Sequence, residues 1–572
     1  MFSMRIRVCA LVFALRAFGA DRWMETRMAG TPVGYVHEQT EGMVTAAESR
    51  LVINRLGSKV EINAKTRSEE NAEGRLAAIR SEISSSAQAT VTEGHVEGNI
   101  LSLRISTGGK SYDHAIPIAQ PLVGDEGARR LTLARLHQAG DQVSYPIFSP
   151  ELGTVAIVTR IFVAREGKGM RIKQTMTGLP GDSSVWLDEE GRMERQVQAG
   201  PFGDVEVRLA TREKALAAIA GSELPAESYE KSVAISNIRL PHERRIERMR
   251  VLITHNHPEL GWPDFTDDRQ TLIEQTRDHV VLEIRRDTDK KDPAPSPSYL
   301  SPNALFQSDD AAVMAIAHGK NDIFVLRDWT SENVRFDAGI AIAPASEVAR
   351  DRAGTCFGYS ILLGSLARAA GIPSRLKMGL AYAGGIWGGH AWVETYQQGK
   401  WVAIDAALVS PGIADAARIS FFSSSLEEGS LVGMGSLAQM YGNVGIRILE
   451  YTVDGKTVTV PENAPQFTIA GDVYENPWLG LKLRKPAGFR FAKEHAVWPD
   501  PILVAMEGPN GEVVTVEKTE LPLEEYMKRK KDEKGIFAVT AGGDTWVLSA
   551  EGPAFAKALK NAVAGFELTG VR

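Results

Sequence analysis

The chain has 572 residues, a formal charge of −7 and 24% charged residues. That length suits three or four domains of roughly 150 residues each, and the apolar content is enough for substantial cores. The mild negative balance argues against a dedicated nucleic-acid binder, which is normally basic.

Arg5 and Arg7 precede a short apolar run, Val8 to Leu15, and a small-residue-rich stretch, Ala17 to Ala20. The pattern reads as a signal peptide over 1–20, with Arg16 and Phe18 as departures from the usual form. It predicts an exported protein, periplasmic or extracellular. No later run reaches the roughly 20 apolar residues of a membrane span. The two cysteines are Cys9 and Cys356. Loss of the first 20 residues would leave one thiol and no internal disulfide, so that thiol is expected to be buried or used.

From residue 21 to 232, short apolar/polar alternations such as SRLVINRLG and TVAIVTRIFV are punctuated by Gly, Asp and Asn. This predicts an antiparallel, β-rich N-terminal domain. The stretch Met170 to Leu209 is compatible with a second β unit. Residues 233–300 carry further strand-like runs (RMRVLITH, DHVVLEIRR) and end in a Pro- and Ser-rich linker. Residues 301–450 mix helices and strands, 451–473 read as a hairpin followed by a linker, and 474–572 as a C-terminal α+β domain. In that last unit GPNG is expected to turn a hairpin, and LEEYMKRKKDEK and PAFAKALKNAVAGF are expected to be helical. The fold class overall is α+β.

The chemistry concentrates between Gly354 and Leu408. From Phe357 to Ala370 the residues are almost continuously apolar, too long for a strand, and Gly371 and Pro373 supply a stop. Thr355 is placed to cap that helix, which puts Cys356 in its first turn. There, unpaired N–H groups and the helix dipole favour a thiolate and can bind an oxyanion. Downstream, HAWVETY and KWVAID alternate about a QQGK turn. A turn centred on Gln398 and Gly399 makes paired positions sum to 797. His390, Trp392 and Glu394 then share a face with Ala403, Asp405 and Ala407. Asp405 becomes the diagonal neighbour of His390, whereas Glu394 lies about 13 Å along the strand.

These pieces together, Gly354-Thr355-Cys356, the helix ending ARAAGIPSR, HAWVE and KWVAID, resemble the transglutaminase-like superfamily. The resemblance spans Leu305 to Ser410. It implies a papain-type catalytic triad of Cys356, His390 and Asp405, and an α+β core over 301–450. It departs in placing Ala406 after the aspartate, where the family often has Pro. The outer modules resemble loosely those of bacterial exported members. The implied activity is cysteine-dependent amide chemistry on a protein or peptide substrate through a thioester, by a peptidase, deamidase or transamidase. A non-catalytic binding or scaffold protein with a vestigial triad is the alternative.

No cofactor and no metal are expected. His255 and His257 with Glu259 lack a third ligand at zinc spacing. Asp264, Asp267 and Asp268 lack a calcium-loop pattern. Gly433-Met434-Gly435 has no preceding strand and reads as a loop, and Lys528 to Lys531 as a solvated helix face. Trp329 is expected to pack a helix. Gly384-Gly385 and Gly388-Gly389 around Trp387 read equally well as a mobile cover for the thiol or a plain turn.

Overall fold

The computed structural model describes residues 21–568, apart from 56–57, 86, 178, 201–202, 221–222, 226–227, 229–230, 341, 427–438, 493–501, 521 and 531–533. The segment 1–20, expected from its sequence to be a signal peptide, and Gly433-Met434-Gly435 therefore lie outside the described residues.

The alternating stretches of the first 210 residues form one fourteen-stranded antiparallel sheet. It is a meander whose first and last strands, Asp21–Met28 and Val205–Ala210, pair side by side. Met170 to Leu209 belongs to this sheet and is not a second unit. The chain between Lys110–Pro117 and Gln142–Ser149 ties the strand Leu76–Ser84 to the edge strand Gln142–Ser149. Leu76 N–H donates to Leu122 O and Val123 N–H to Pro146 O, both within 2.9 Å. Every other side chain points inward, so Val33, Leu51, Ile62, Ile172, Val185 and Val207 from distant strands meet in one core.

This sheet grips the central unit through the short helix Ala345–Asp351, which leads towards Cys356. Glu347 accepts the backbone N–H groups of Ala87 and Gln88, each at 3.1 Å, and Gln307 Nε2 donates to Thr107 O at 3.2 Å. A cavity of about 120 Å³ lies at this junction, between Ile83, Leu103, Phe148, Leu305 and Ile342.

The stretch 233–300 is not structurally separate from the central unit. Its strands Ile246–His255, Gln270–Gln275 and His279–Arg285 share a five-stranded sheet with Val444–Val453 and Lys456–Thr459. One hydrophobic cluster runs without a break from Ala234 to Val460. The second sheet of this unit carries the candidate site. It is built from Ala234–Ile235, Ser374–Ala383, Ile386–Gln397, Lys400–Ile404 and Arg418–Ser424.

The C-terminal unit has its own core around Leu481, Val504, Val516, Trp546 and Leu548. The expected hairpin joins Ile502–Glu507 to Val513–Thr519, and helices form at Leu523–Arg529 and Phe555–Ala564. Its docking on the central unit carries a titratable contact. His242 lies 3.4 Å from Asp544 of the C-terminal unit and 3.2 Å from Asp454. The Asp544 carboxylate, ahead of the opposing effect of burial, holds the His242 pKa above its ordinary 6.5. A raised histidine pKa stabilises fully below the unfolded value and loses that contribution as pH rises through the folded one. Proteolytic nicking between the two units is expected to speed up as pH rises above 6.5, and His242→Gln to flatten that dependence.

Candidate active site

The helix Cys356–Ala369 is buried on all sides, apart from its last residue, as its continuous apolar run demands. Its two serines are satisfied within the helix: Ser360 Oγ donates to Cys356 O at 2.8 Å and Ser365 Oγ to Ile361 O at 2.7 Å. Gly364 has no room for a side chain, since a Cβ there would stand 2.4 Å from Phe306. At the far end Gly371 takes φ +79°, and Ile372 N–H closes back onto Ala367 O at 2.8 Å. Thr355 is the N-cap residue, though its side chain does not make the capping bond.

The histidine strand, Ile386–Gln397, pairs from Ile386 to Thr395 with Ser374–Ala383. On its other edge, Ala234–Ile235 covers only Ile386 and Trp387, and Lys400–Ile404 covers only Val393 to Gln397. The start of the Cys356 helix enters between those two partners. The backbone N–H of Ala391 points at the Cys356 thiol, as does that of Phe357. A gap in strand pairing thereby brings the Cys356 thiol to the backbone of Ala391, the residue after His390.

The hairpin pairs in the expected register, with Glu394 opposite Ala403 and Gln397 opposite Lys400. Asp405 follows directly on the second strand. His390 Nε2 lies 2.6 Å from Asp405 Oδ2. Asp405 Oδ1 accepts the N–H groups of Ala407 at 2.8 Å and Leu408 at 2.9 Å. Cys356, His390 and Asp405 are each no more than 2% exposed. Trp392 lies nearly parallel to the His390 ring at 6.1 Å.

The electrostatics correct one expectation. The helix start does not give a standing thiolate. Burial outweighs the Ala391 and Phe357 N–H groups and pushes the Cys356 thiol up to about 12. Burial also lowers the His390 pKa, against the pull of Asp405, with Arg418 and Arg244 adding to the lowering. Burial alone would raise Asp405, but His390 and the Arg418 guanidinium beside it hold it below the usual carboxylate range. In this covered state the pair stands as thiol and neutral imidazole. Asp405, being ionised, takes the Nε2–H, so Nδ1 is the nitrogen able to accept the thiol proton.

Two groups of residues here escaped the sequence reading. The first is Arg418, fully buried, whose Nη2 and Nε donate to Asp405 Oδ2 at 2.9 and 3.2 Å. The second lies around Glu394, which turns away from the triad to bind Arg375 at 2.6 Å. Beside it Lys377 contacts Asp267 at 2.6 Å, both side chains at most 3% exposed. Asp267 thus serves a buried lysine. Burial would raise its pKa, but Lys377 and Arg269 prevail and depress it, so its contribution holds above 3.8 and is lost as pH falls. Lys377→Met is expected to cost about 3–5 kcal/mol, read as a lower denaturant midpoint. Adding Asp267→Leu should recover most of that loss.

Gly384 and Gly385 form a hairpin turn at φ 58° and 95°, and Gly388 and Gly389 lie within the strand that follows. The mobile-cover reading of that stretch is therefore replaced by a paired hairpin. Gly389 has a packing reason, because a Cβ there would overlap the Tyr441 hydroxyl at 0.6 Å. Trp329 packs against the central cluster and under the Arg352 guanidinium at 4.3 Å. His257 pairs with Glu259 at 3.1 Å, while His255 Nδ1 accepts the His257 N–H at 3.0 Å. Among the described residues no group of three or more His, Cys, Asp or Glu side chains is arranged to hold a metal ion. None of the described helices is long and apolar enough to cross a membrane.

The Transglutaminase-like superfamily matches residues 315–406. No curated protein matches the chain. Among solved structures it is similar to a candidate cysteine protease from Cytophaga hutchinsonii, at 16% identity over 38% of this chain and 85% of that one, with a TM-score of 0.25. It is also similar to a β-barrel-like protein of unknown function from Brucella abortus, at 10% identity over 34% and 98%, with a TM-score of 0.27. A candidate protease from Parabacteroides distasonis aligns at 10% identity over 83% and 93%, with a TM-score of 0.14. The superfamily match contains the helix-start cysteine, the histidine strand and the aspartate at the end of the next strand. Over residues 315–406 this chain carries a transglutaminase-like superfamily core.

Proposed function

We propose that the chain is a cysteine-dependent acyl-transfer enzyme that cleaves amide bonds of a protein or peptide, with water as the usual acceptor. The observation that carries this reading is the 2.6 Å contact from His390 Nε2 to Asp405, which fixes the imidazole tautomer with Nδ1 as the base at the edge where Cys356 sits. Substrate entry first has to uncover the thiol. His390 Nδ1 then takes the Sγ proton as Sγ attacks the carbonyl carbon, and the C=O electrons move to oxygen. The N–H groups of the first helical turn, that of Cys356 included, have no partner within the helix and are placed to hold the oxyanion. Collapse breaks the C–N bond, the Nδ1 proton leaves with the amine, and a thioester remains on Cys356. Water gives its proton to Nδ1 and attacks the thioester, and the departing sulfur recovers that proton.

The preference for water rests on its constant presence; a lysine amine would turn the same intermediate into a crosslink. The segment 1–20 supports export as part of this reading. A peptide-library screen for new termini, released ammonia and crosslinks, run on wild type and Cys356→Ala, tests it. Turnover confined to wild type supports the enzyme, and turnover in neither supports the binding protein with a vestigial triad.

A further inference from the structure

We propose that Arg418 is a positioning residue for the triad: it fixes the Asp405 carboxylate on His390 and sets the charge state in which the imidazole waits. This rests on the reading of Cys356, His390 and Asp405 as the reacting groups.

The geometry around Asp405 is saturated. Oδ2 takes the His390 Nε2–H together with two N–H groups of one guanidinium, and Oδ1 takes two backbone N–H groups. A carboxylate offers about four acceptor sites, so it has no freedom to swing away from the imidazole. Arg418 is held in turn. Its Nη1 pairs with the Asp415 carboxylate and its Nη2 donates to Leu408 O at 2.8 Å. Asp415 accepts from Arg244 Nη1 at 3.1 Å, Ser410 Oγ at 2.8 Å and Ala417 N–H at 2.9 Å. Arg244 also donates to Tyr382 O. The result is a buried line of alternating charge: Arg244, Asp415, Arg418, Asp405, His390.

The fold makes room for this line. Arg418 opens a strand that pairs with Ser374–Ala383, and Ala381 stands opposite both Arg418 and Gly388. Small residues, Ala381 and Gly388, therefore stand level with Arg418 on the two strands beside it. The charged groups acting on His390 are Asp405, which favours its protonation, and Arg418 and Arg244, which oppose it; the thiol of Cys356 lies at the N–H of the next residue, Ala391. A guanidinium that merely neutralised two buried carboxylates would have no reason to share an oxygen with the imidazole.

The test uses the full chain carrying Cys356→Ala and ¹⁵N-labelled histidines, of which there are 11. The His390 signal is identified by its loss in His390→Gln. With Arg418 present, His390 is expected to be the Nε2–H tautomer with a titration midpoint below 6.5. In Arg418→Met the midpoint should rise by about one pH unit and the tautomer should become mixed. The charge-balanced pair Arg418→Met with Asp415→Asn guards against misfolding and should behave alike. Arg418→Lys keeps the charge but not the fork, so it should mix the tautomers with little change in midpoint. A folded Arg418→Met protein, alone or with Asp415→Asn, whose midpoint and tautomer match the parent overturns the proposal. So does failure of all three variants to fold, which would make Arg418 structural. The readout needs neither thiol nor substrate, so lack of turnover in wild type contradicts the enzymatic reading and leaves this result standing.

Discussion

Cys356→Ala is expected to abolish every turnover found in the peptide screen, a fall of at least about 10³-fold, while the fold survives. The argument is chemical. Cys356 is the free thiol of the described residues, and it lies at the N–H of Ala391, next along the chain from His390. Truncation to Ala removes one sulfur from a packed site, so stability should change by less than about 2 kcal/mol. Cys356→Ser should be nearly as inactive, because a hydroxyl is intrinsically a weaker nucleophile than a thiol and holds its proton more tightly. Residual activity in either variant within tenfold of wild type would place the nucleophile elsewhere.

Asp405→Asn should lower turnover by about 10⁴-fold, since an amide can hold the imidazole in the wrong tautomer. It should also destabilise, by about 3–5 kcal/mol, because the fully buried Arg418 loses one of its two carboxylates. The two effects separate by design. Adding Arg418→Met to Asp405→Asn leaves Arg244 and Asp415 as a balanced pair. Thermal denaturation of the central unit should return towards wild type in that double variant, while turnover should not return at all. If turnover recovered with stability, Asp405 would be a structural residue and the triad reading would fail.

The parts of the site that are local in sequence were legible there. A long apolar run closed by Gly371 and Pro373 defined the helix, and the two-residue turn at Gln398-Gly399 set a register that put Asp405 within reach of His390. Both follow from periodicity and turn chemistry, which act over a few residues. What stayed hidden depends on distant contacts. Arg418 looks like an ordinary strand-opening arginine, and only sheet order brings it over Ala381 to Asp405. A hint existed, in an arginine at the head of the otherwise uncharged strand RISFFSS with Asp415 three residues before. Burial was hidden in the same way. The helix dipole is a local cue and pointed to a lowered thiol pKa, but enclosure by several elements reverses it. The union of 233–300 with 444–459 was invisible for a like reason, since the two segments pair across the whole central unit.

The central claim is that Cys356 and His390 work as one nucleophile–base pair. Iodoacetamide alkylation of the native chain at pH 7, followed by intact mass and peptide mapping to separate Cys356 from Cys9, tests it most directly. Wild type is expected to be modified at Cys356 at least about tenfold faster than His390→Gln, because the imidazole takes the thiol proton as the sulfur attacks. Equal rates in the two proteins would contradict the account.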